Sequence, residues 1–129
     1  MRTLIIDDSK AMRRILGKIM TNLGFEISEA ENGRKGLECL LADEAGFDVI
    51  LVDWNMPEMT GLEFIEDVRS RDEYANQKLV MVTTETEPAR MVRALMAGVD
   101  EFVMKPFTPE ILFEKLKLIG VPLRAAASI

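Results

Sequence analysis

The fold of this chain is decided by the stretch Val49-Ile50-Leu51-Val52-Asp53-Trp54-Asn55-Met56-Pro57. Its first four residues are aliphatic with no polar alternation, which is typical of a strand buried on both faces of a sheet. The run stops at a carboxylate, Asp53, and Pro57 favours extended or turn backbone just before it. Asp53 is therefore predicted to lie at the carboxyl end of a central strand, the edge at which open parallel α/β sheets bind ligands.

The composition restricts the kinds of protein and site that the chain can form. A length of 129 residues, 48% of them hydrophobic, predicts one domain with a packed core. The chain has no histidine, which excludes a histidine base, a histidine metal ligand and a phosphohistidine of its own. The formal net charge of −6 argues against nucleic-acid binding. Cys39 is the single cysteine and no apolar run is long enough for a membrane span, so we expect a cytoplasmic protein without disulfides or membrane insertion.

Apolar segments and helical patterns alternate along the chain. Short apolar segments end at positions 6, 30, 52, 82 and 104, and each is followed by apolar residues at helical spacing. Ser9 and Thr108 are suited to cap the first and last helices, and Thr60-Gly61 to begin the third. Asn32-Gly33 is predicted to form a turn. The packed domain is predicted to cover residues 1–119, and residues 120–129 to form a C-terminal tail.

Five strand–helix units of this length predict a parallel sheet with helices on both faces. The first, third and fourth strands are the most apolar and are expected at the centre, whereas residues 26–30 and 101–104 are more polar, as edge strands are. The fold class is then α/β, a flavodoxin-like, doubly wound, five-stranded parallel sheet of order 2-1-3-4-5. This order places a crevice between the first and third strands, beside Asp7, Asp8 and Asp53.

Five polar residues are predicted to meet at this crevice, each just after a strand: Asp7, Asp8, Asp53, Thr83 and Lys105. Three carboxylates so close together need a cation, and Mg²⁺ suits oxygen ligands and phosphate. A carboxylate nucleophile, a hydroxyl donor and an ammonium are the groups that phosphoryl transfer uses. Each residue alone has a simpler interpretation, because aspartate after a strand often only caps a helix and Lys-Pro is often only a turn. Their coincidence at one edge favours phosphoryl chemistry.

Four segments together resemble the receiver domain of two-component response regulators, in particular its single-domain, CheY-like chemotaxis type. The segments are Ile6-Asp7-Asp8-Ser9, Val52-Asp53-Trp54-Asn55-Met56-Pro57 with Gly61, Val82-Thr83-Thr84-Glu85, and Lys105-Pro106-Phe107. The resemblance implies that Asp53 accepts a phosphoryl group from the phosphohistidine of a sensor histidine kinase. It also implies Mg²⁺ held by Asp8, Asp53 and the backbone carbonyl of Asn55, with Asp7 nearby and acting through water.

The same resemblance implies roles for the remaining site residues. Lys105 would pair with the phosphoryl group, Thr83 would hydrogen-bond it, and a cis peptide bond would join Lys105 to Pro106. Asn55 and Glu85 would tune dephosphorylation. The switch position three residues before the lysine, often tyrosine in the family, is Phe102 here, which lacks a hydroxyl for an output hydrogen bond.

Output is predicted at the face formed by the fourth helix, the fifth strand and the fifth helix. Leu112, Leu116 and Ile119 suffice for the core side of the last helix, which leaves Ile111 and Leu118 for solvent, for an unidentified output protein or for a phosphorylation-dependent dimer. No output domain follows residue 119, so we expect a stand-alone response regulator of a chemotaxis-type phosphorelay. It would be a signalling protein rather than an enzyme, although it takes part in its own phosphoryl transfer and dephosphorylation.

Three other functions remain open on the sequence alone. A flavodoxin-like flavin-binding protein shares the strand order but needs a phosphate cradle after the first strand, where this chain has Asp7-Asp8. A pseudo-receiver would bind partners without being phosphorylated. An aspartate-nucleophile phosphatase usually carries a second aspartate two residues after the nucleophile, where this chain has Asn55.

Overall fold

The structure, a computed structural model, describes residues 1–123 as alternating strands and helices. In chain order these are β1 (Arg2–Ile6), α1 (Lys10–Asn22), β2 (Glu26–Ala30), α2 (Gly33–Ala42), β3 (Val49–Val52), α3 (Gly61–Arg69), a 3-10 helix (Asp72–Tyr74), β4 (Leu79–Thr83), α4 (Pro88–Ala97), β5 (Glu101–Met104) and α5 (Pro109–Leu118). Residues 124–129 of the predicted tail lie outside the described residues. Residues 120–123 are the part of that tail that the structure describes, and there Val121 is buried and its N–H donates to the Leu116 carbonyl oxygen at 3.1 Å. The packed part of the chain therefore extends beyond residue 119.

The five strands form one parallel sheet in the order β2-β1-β3-β4-β5, which confirms the predicted fold class. The pairing of β1 with β3 aligns Ile6 with Val52, and the Asp53 N–H donates to the Ile6 carbonyl oxygen at 3.0 Å. Because parallel strands end at the same edge, this register places Asp7 and Asp53 side by side. Thr83 is the last residue of β4 and pairs with Met104 of β5, next to Lys105, so all five predicted site residues lie at or just after strand ends on one edge of the sheet.

The sheet separates two apolar cores, since alternate residues of a strand point to opposite faces. In β3, Ile50 and Val52 belong to the core that contains Phe64 and Ile65 of α3, whereas Val49 and Leu51 belong to the core formed with α1 and α5. All four residues of β3 are buried. The uninterrupted apolar run in the sequence is thus explained by burial on both faces.

Helix starts agree with the predicted caps at three positions and differ at one. The side chains of Ser9, Thr60 and Thr108 accept hydrogen bonds from backbone N–H groups in the first turns of α1, α3 and α5. Asn32-Gly33, predicted as a turn, is instead the start of α2, with Asn32 as its N-cap. This prediction was wrong because asparagine suits turns and N-caps for the same reason, its short side-chain oxygen.

Helix α4 buries fewer of its apolar residues than their helical spacing predicts. Ala94 is its one fully buried residue, whereas Val92, Leu95 and Met96 are 53%, 51% and 84% exposed. The apolar residues that predict this helix therefore lie largely on the molecular surface. None of the helices within residues 1–123 is long and apolar enough to cross a membrane.

Candidate functional site

Three carboxylates meet at the carboxyl edge of β1 and β3. One oxygen from each of Asp7, Asp8 and Asp53 lies within 4.8 Å of the others. Asp7 is 1% exposed and Asp53 is 9% exposed, whereas Asp8 faces solvent. We call this cluster of two buried acids and one solvent-exposed acid the acidic pocket.

Lys105 reaches this pocket from the end of β5. Its Nζ lies 3.0 Å from Asp7 Oδ2 and 3.4 Å from Asp53 Oδ2. The lysine side chain is 14% exposed, so its charge acts in a largely desolvated setting. The ammonium thus offsets part of the negative charge of the two buried aspartates. The Lys105–Pro106 peptide bond is cis, as the resemblance implies.

The environment of Asp53 disfavours its negative charge. Burial is the largest cause and raises the pKa of the Asp53 carboxyl above its ordinary value. Lys105 acts in the opposite direction, Asp7 raises the pKa further, and the Trp54 N–H lowers it by donating to Asp53 Oδ1 at 2.7 Å. The net effect is a carboxylate that gains from a bound cation, since a cation would stabilise its ionised form.

One backbone donor and one side-chain donor position Asp7. The Ser9 N–H donates to Asp7 Oδ1 at 2.9 Å, and Arg13 Nη1 donates to the Asp7 carbonyl oxygen at 2.6 Å. Arg13 is not among the site residues that the sequence predicts. The available signal was its position one turn after the Ser9 cap, which directs it back to the end of β1.

Gly61 allows the start of α3 to approach the end of β3. The Gly61 N–H donates to the Trp54 carbonyl oxygen at 2.8 Å. A Cβ at position 61 would lie 2.1 Å from the Asp53 carbonyl oxygen and 3.0 Å from the Trp54 Cα. Only glycine fits this approach without moving the backbone that carries Asp53.

The loop after β4 forms a chain of hydrogen bonds that leads from Thr83 to α4. Thr83 is buried, and its Oγ1 accepts from the Glu85 N–H at 3.2 Å. The Glu85 carboxylate in turn accepts from the Glu87 N–H and from Arg90 Nη1, each at 3.0 Å. The Glu87 N–H, followed by Arg90, holds the pKa of the Glu85 carboxyl below its ordinary value. Arg90 is not among the site residues that the sequence predicts, because its contact with Glu85 depends on how α4 meets this loop.

The two remaining predicted residues differ in burial. Asn55 is exposed, between the buried side chains of Trp54 and Met56. Phe102 is 7% exposed and packs in the core that contains Met81 and Ala94. The ring at the predicted switch position is therefore inside the protein in this structure.

Comparison with known proteins identifies the family. The family model described as response regulator receiver domain matches residues 3–117. The chain belongs to this family. Among curated relatives of this receiver, a chemotaxis protein CheY homolog of Campylobacter jejuni is 44% identical over 118 residues, 91% of the chain and 90% of the relative. Chemotaxis protein CheY1 of Helicobacter pylori is 43% identical over 120 residues, 92% of the chain and 96% of the relative.

Solved structures place the receiver in the same fold. Chemotaxis response regulator CheY4 of Vibrio cholerae superposes with a TM-score of 0.84 at 35% identity, covering 92% of the chain and 97% of that protein. Receiver domains take phosphoryl groups from histidine kinases and bind output proteins, and CheY-like response regulators are signalling proteins. The family assignment decides against the flavin-binding alternative.

Proposed function

We propose that this receiver is a phosphoacceptor regulator in which Asp53 takes a phosphoryl group from the phosphohistidine of a sensor histidine kinase. The supporting observation is the acidic pocket, where Asp53 lies beside Asp7 and within 3.4 Å of Lys105. A carboxylate oxygen of Asp53 forms the new bond to phosphorus as the bond to the donor imidazole breaks and the imidazole retains the electron pair. The named relatives are chemotaxis proteins, which favours a chemotaxis pathway for this chain as well.

The residues of the pocket fit a divalent cation. Asp8 and Asp53 would supply carboxylate oxygens, and Asp7 is close enough to them to act through water. The Asn55 backbone carbonyl, in the loop after β3, would be the third protein ligand. Mg²⁺ bound there would neutralise charge on the phosphoryl oxygens during transfer. Lys105 would move its hydrogen bonds toward the phosphoryl group, and the buried Thr83 hydroxyl would donate to it.

Mg²⁺ should change the fluorescence of Trp54, the single tryptophan of the chain. Its backbone N–H is bonded to Asp53, so a cation on that carboxylate alters the surroundings of the indole. A saturable change in emission during Mg²⁺ titration is expected, and Asp8→Asn should weaken it strongly, whereas Asp72→Asn on the exposed 3-10 helix should not. A flat titration of the unsubstituted protein would count against the cation site.

Glu85 is proposed to keep the approach to Asp53 hydrated. Glu85 lies two residues after Thr83, which ends the strand next to β3. Its carboxylate accepts hydrogen bonds from Arg90 and from the Glu87 N–H. Glu85→Leu should lengthen the lifetime of the phosphorylated form severalfold, since an apolar side chain excludes the attacking water. Glu85→Gln keeps a polar group and should behave more like the unsubstituted protein. Decay rates followed by mass spectrometry provide the measurement, and equal rates for the leucine and glutamine variants would contradict this role.

We propose that the surface formed by α4, β5 and α5 transmits the signal. On phosphorylation, the monomer would bind a partner protein or a second copy of itself through this surface. Ile111 and Leu118 of α5 are 45% and 73% exposed, and Leu112 and Leu116 are fully buried. Movement of the Thr83 hydroxyl toward a phosphoryl group would lengthen the 3.2 Å hydrogen bond that it accepts from the Glu85 N–H, and this would loosen the loop that leads into α4. Phe102 is already buried, so we propose that its ring changes its packing within the core and does not move in from the surface.

Thr83→Ala should separate phosphorylation from output. We expect Asp53 to be phosphorylated still, while the change in amide hydrogen exchange over residues 88–118 and any phosphorylation-dependent dimerisation are lost. Thr84→Ala removes an exposed neighbouring hydroxyl and serves as the control. A normal exchange response in Thr83→Ala would show that the path through Thr83 and Phe102 is wrong.

A further inference from the structure

Two loops beside the acidic pocket are joined by a hydrogen bond between Asn32 and Glu58. Asn32 is 3% exposed, and both ends of its amide are used. Its Oδ1 accepts from the Lys35 N–H at 2.8 Å, which caps α2, and its Nδ2 donates to Glu58 Oε2 at 2.8 Å. Glu58 belongs to the loop between β3 and α3, five residues after Asp53. One buried side chain therefore connects α2 to the loop that follows the phosphoacceptor.

Glu58 has an uncommon backbone conformation. Its φ is 67°, and within residues 1–123 it is the one residue other than glycine with a positive φ. Such a conformation is disfavoured for a side chain with a Cβ, and glutamate is not among the residues that adopt it most readily. Strained residues persist where their surroundings hold them, and they are concentrated at functional sites. Asn32 is the side chain that holds the carboxylate of Glu58.

A second contact reinforces the first at the adjacent residues. A Cβ at Gly33 would lie 2.7 Å from the Met59 carbonyl oxygen, so the start of α2 lies directly against this loop. At its other end the loop is closed by the Gly61 N–H, which donates to the Trp54 carbonyl oxygen. Asn55 lies between Trp54 and Glu58, the two loop residues that these hydrogen bonds hold. Contacts outside the acidic pocket thus constrain the backbone on both sides of Asn55.

We propose that Asn32 and Glu58 are a positioning pair that holds the β3–α3 loop in its cation-binding conformation. The inference rests on the proposed function, since it assumes that Asp8, Asp53 and the Asn55 carbonyl bind a divalent cation. Groups that orient metal ligands from outside the site commonly change metal affinity by about 10–100-fold when they are replaced. The pair is more than a stabilising contact if its loss weakens Mg²⁺ binding independently of folding stability.

A donor–acceptor exchange tests the pair. Asn32→Asp keeps an oxygen for the Lys35 N–H, and hence the α2 cap, but places a carboxylate against that of Glu58. We expect its dissociation constant for Mg²⁺, measured by isothermal titration calorimetry, to rise about tenfold. The double variant Asn32→Asp with Glu58→Gln restores a donor opposite an acceptor and should return the affinity close to that of the unsubstituted protein.

Two single variants serve as controls. Glu58→Gln alone retains an oxygen that accepts from Asn32, so its affinity should stay near normal. Glu31→Gln removes one negative charge, as Glu58→Gln does, but at an exposed residue that is adjacent to Asn32 in sequence and paired with Lys35. It should have no effect on Mg²⁺ affinity. Thermal unfolding of every variant without Mg²⁺ separates a loss of stability from a loss of positioning.

The outcomes are distinct. Weak Mg²⁺ binding in Asn32→Asp that the double variant reverses supports the positioning pair. Unchanged affinity in Asn32→Asp, or a double variant as weak as the single one, overturns it while leaving the cation site in place. An unsubstituted protein that does not bind Mg²⁺ overturns the cation site itself and the pair with it.

Discussion

Asp53→Asn should abolish phosphorylation while the fold is retained. The asparagine oxygen still accepts from the Trp54 N–H, but the amide has no carboxylate to form the bond to phosphorus. Incubation with Mg²⁺ and a small-molecule phosphodonor, followed by mass spectrometry, should add one phosphoryl group to the unsubstituted protein and none to the variant. Asp72→Asn, an exposed acid on the 3-10 helix, should be phosphorylated normally. Phosphorylation of Asp53→Asn to the same extent as the unsubstituted protein would show that Asp53 is not the phosphoacceptor.

The same substitution should make the metal-free protein more stable. Because the pKa of Asp53 is raised in the folded state, the unfolded chain releases this proton at lower pH, and the ionised carboxylate opposes folding near neutral pH. The neutral amide removes that opposition, so the midpoint of thermal unfolding at neutral pH without Mg²⁺ should rise. The difference should shrink as the pH falls through the raised pKa. A variant that is less stable at neutral pH than the unsubstituted protein would contradict this account of the pocket.

Gly61→Ala should destabilise the protein by roughly 3 kcal/mol, because the added methyl group meets backbone that has little freedom to move. The Cβ would lie 2.1 Å from the Asp53 carbonyl oxygen, at the end of the fully buried strand β3. Relief requires α3 to move away from β3, which also shifts Asp53. We therefore expect Mg²⁺ affinity and the phosphorylation rate to fall together with stability.

Gly17→Ala is the matched control for that substitution. Gly17 lies in α1, and the nearest atom to an added Cβ is Ile27 Cγ2 at 3.9 Å, an ordinary van der Waals contact. Alanine there should stabilise the protein by about 0.5–1 kcal/mol through helix propensity alone. Urea unfolding of both variants provides the comparison. If both glycine variants are equally stable, the close approach of α3 to β3 is not obligatory.

The strand order and the residues of the pocket could be predicted from the sequence because both depend on burial along the backbone. A strand buried on two faces requires an unbroken apolar run, as at residues 49–52, and edge strands tolerate polar residues, as at residues 26–30. Once the strand order is known, parallel pairing brings the carboxyl ends of the strands to one edge of the sheet, which places Asp7, Asp53, Thr83 and Lys105 there. Local caps such as Thr60 were predictable for a similar reason, since a cap bonds within one turn of itself.

The partners of individual side chains depended on the tertiary structure. Lys105 lies nearer to Asp7 than to Asp53, and Asn32 joins α2 to Glu58, across 26 positions of sequence. Arg90 reaches Glu85 through the placement of α4, which also leaves Val92, Leu95 and Met96 exposed despite their helical spacing. The periodicity of a sequence shows which face of a helix or strand is apolar, but it gives no information about the distance between groups on different elements. Those distances are set by how the helices pack on the sheet, and they decide which polar group each side chain meets.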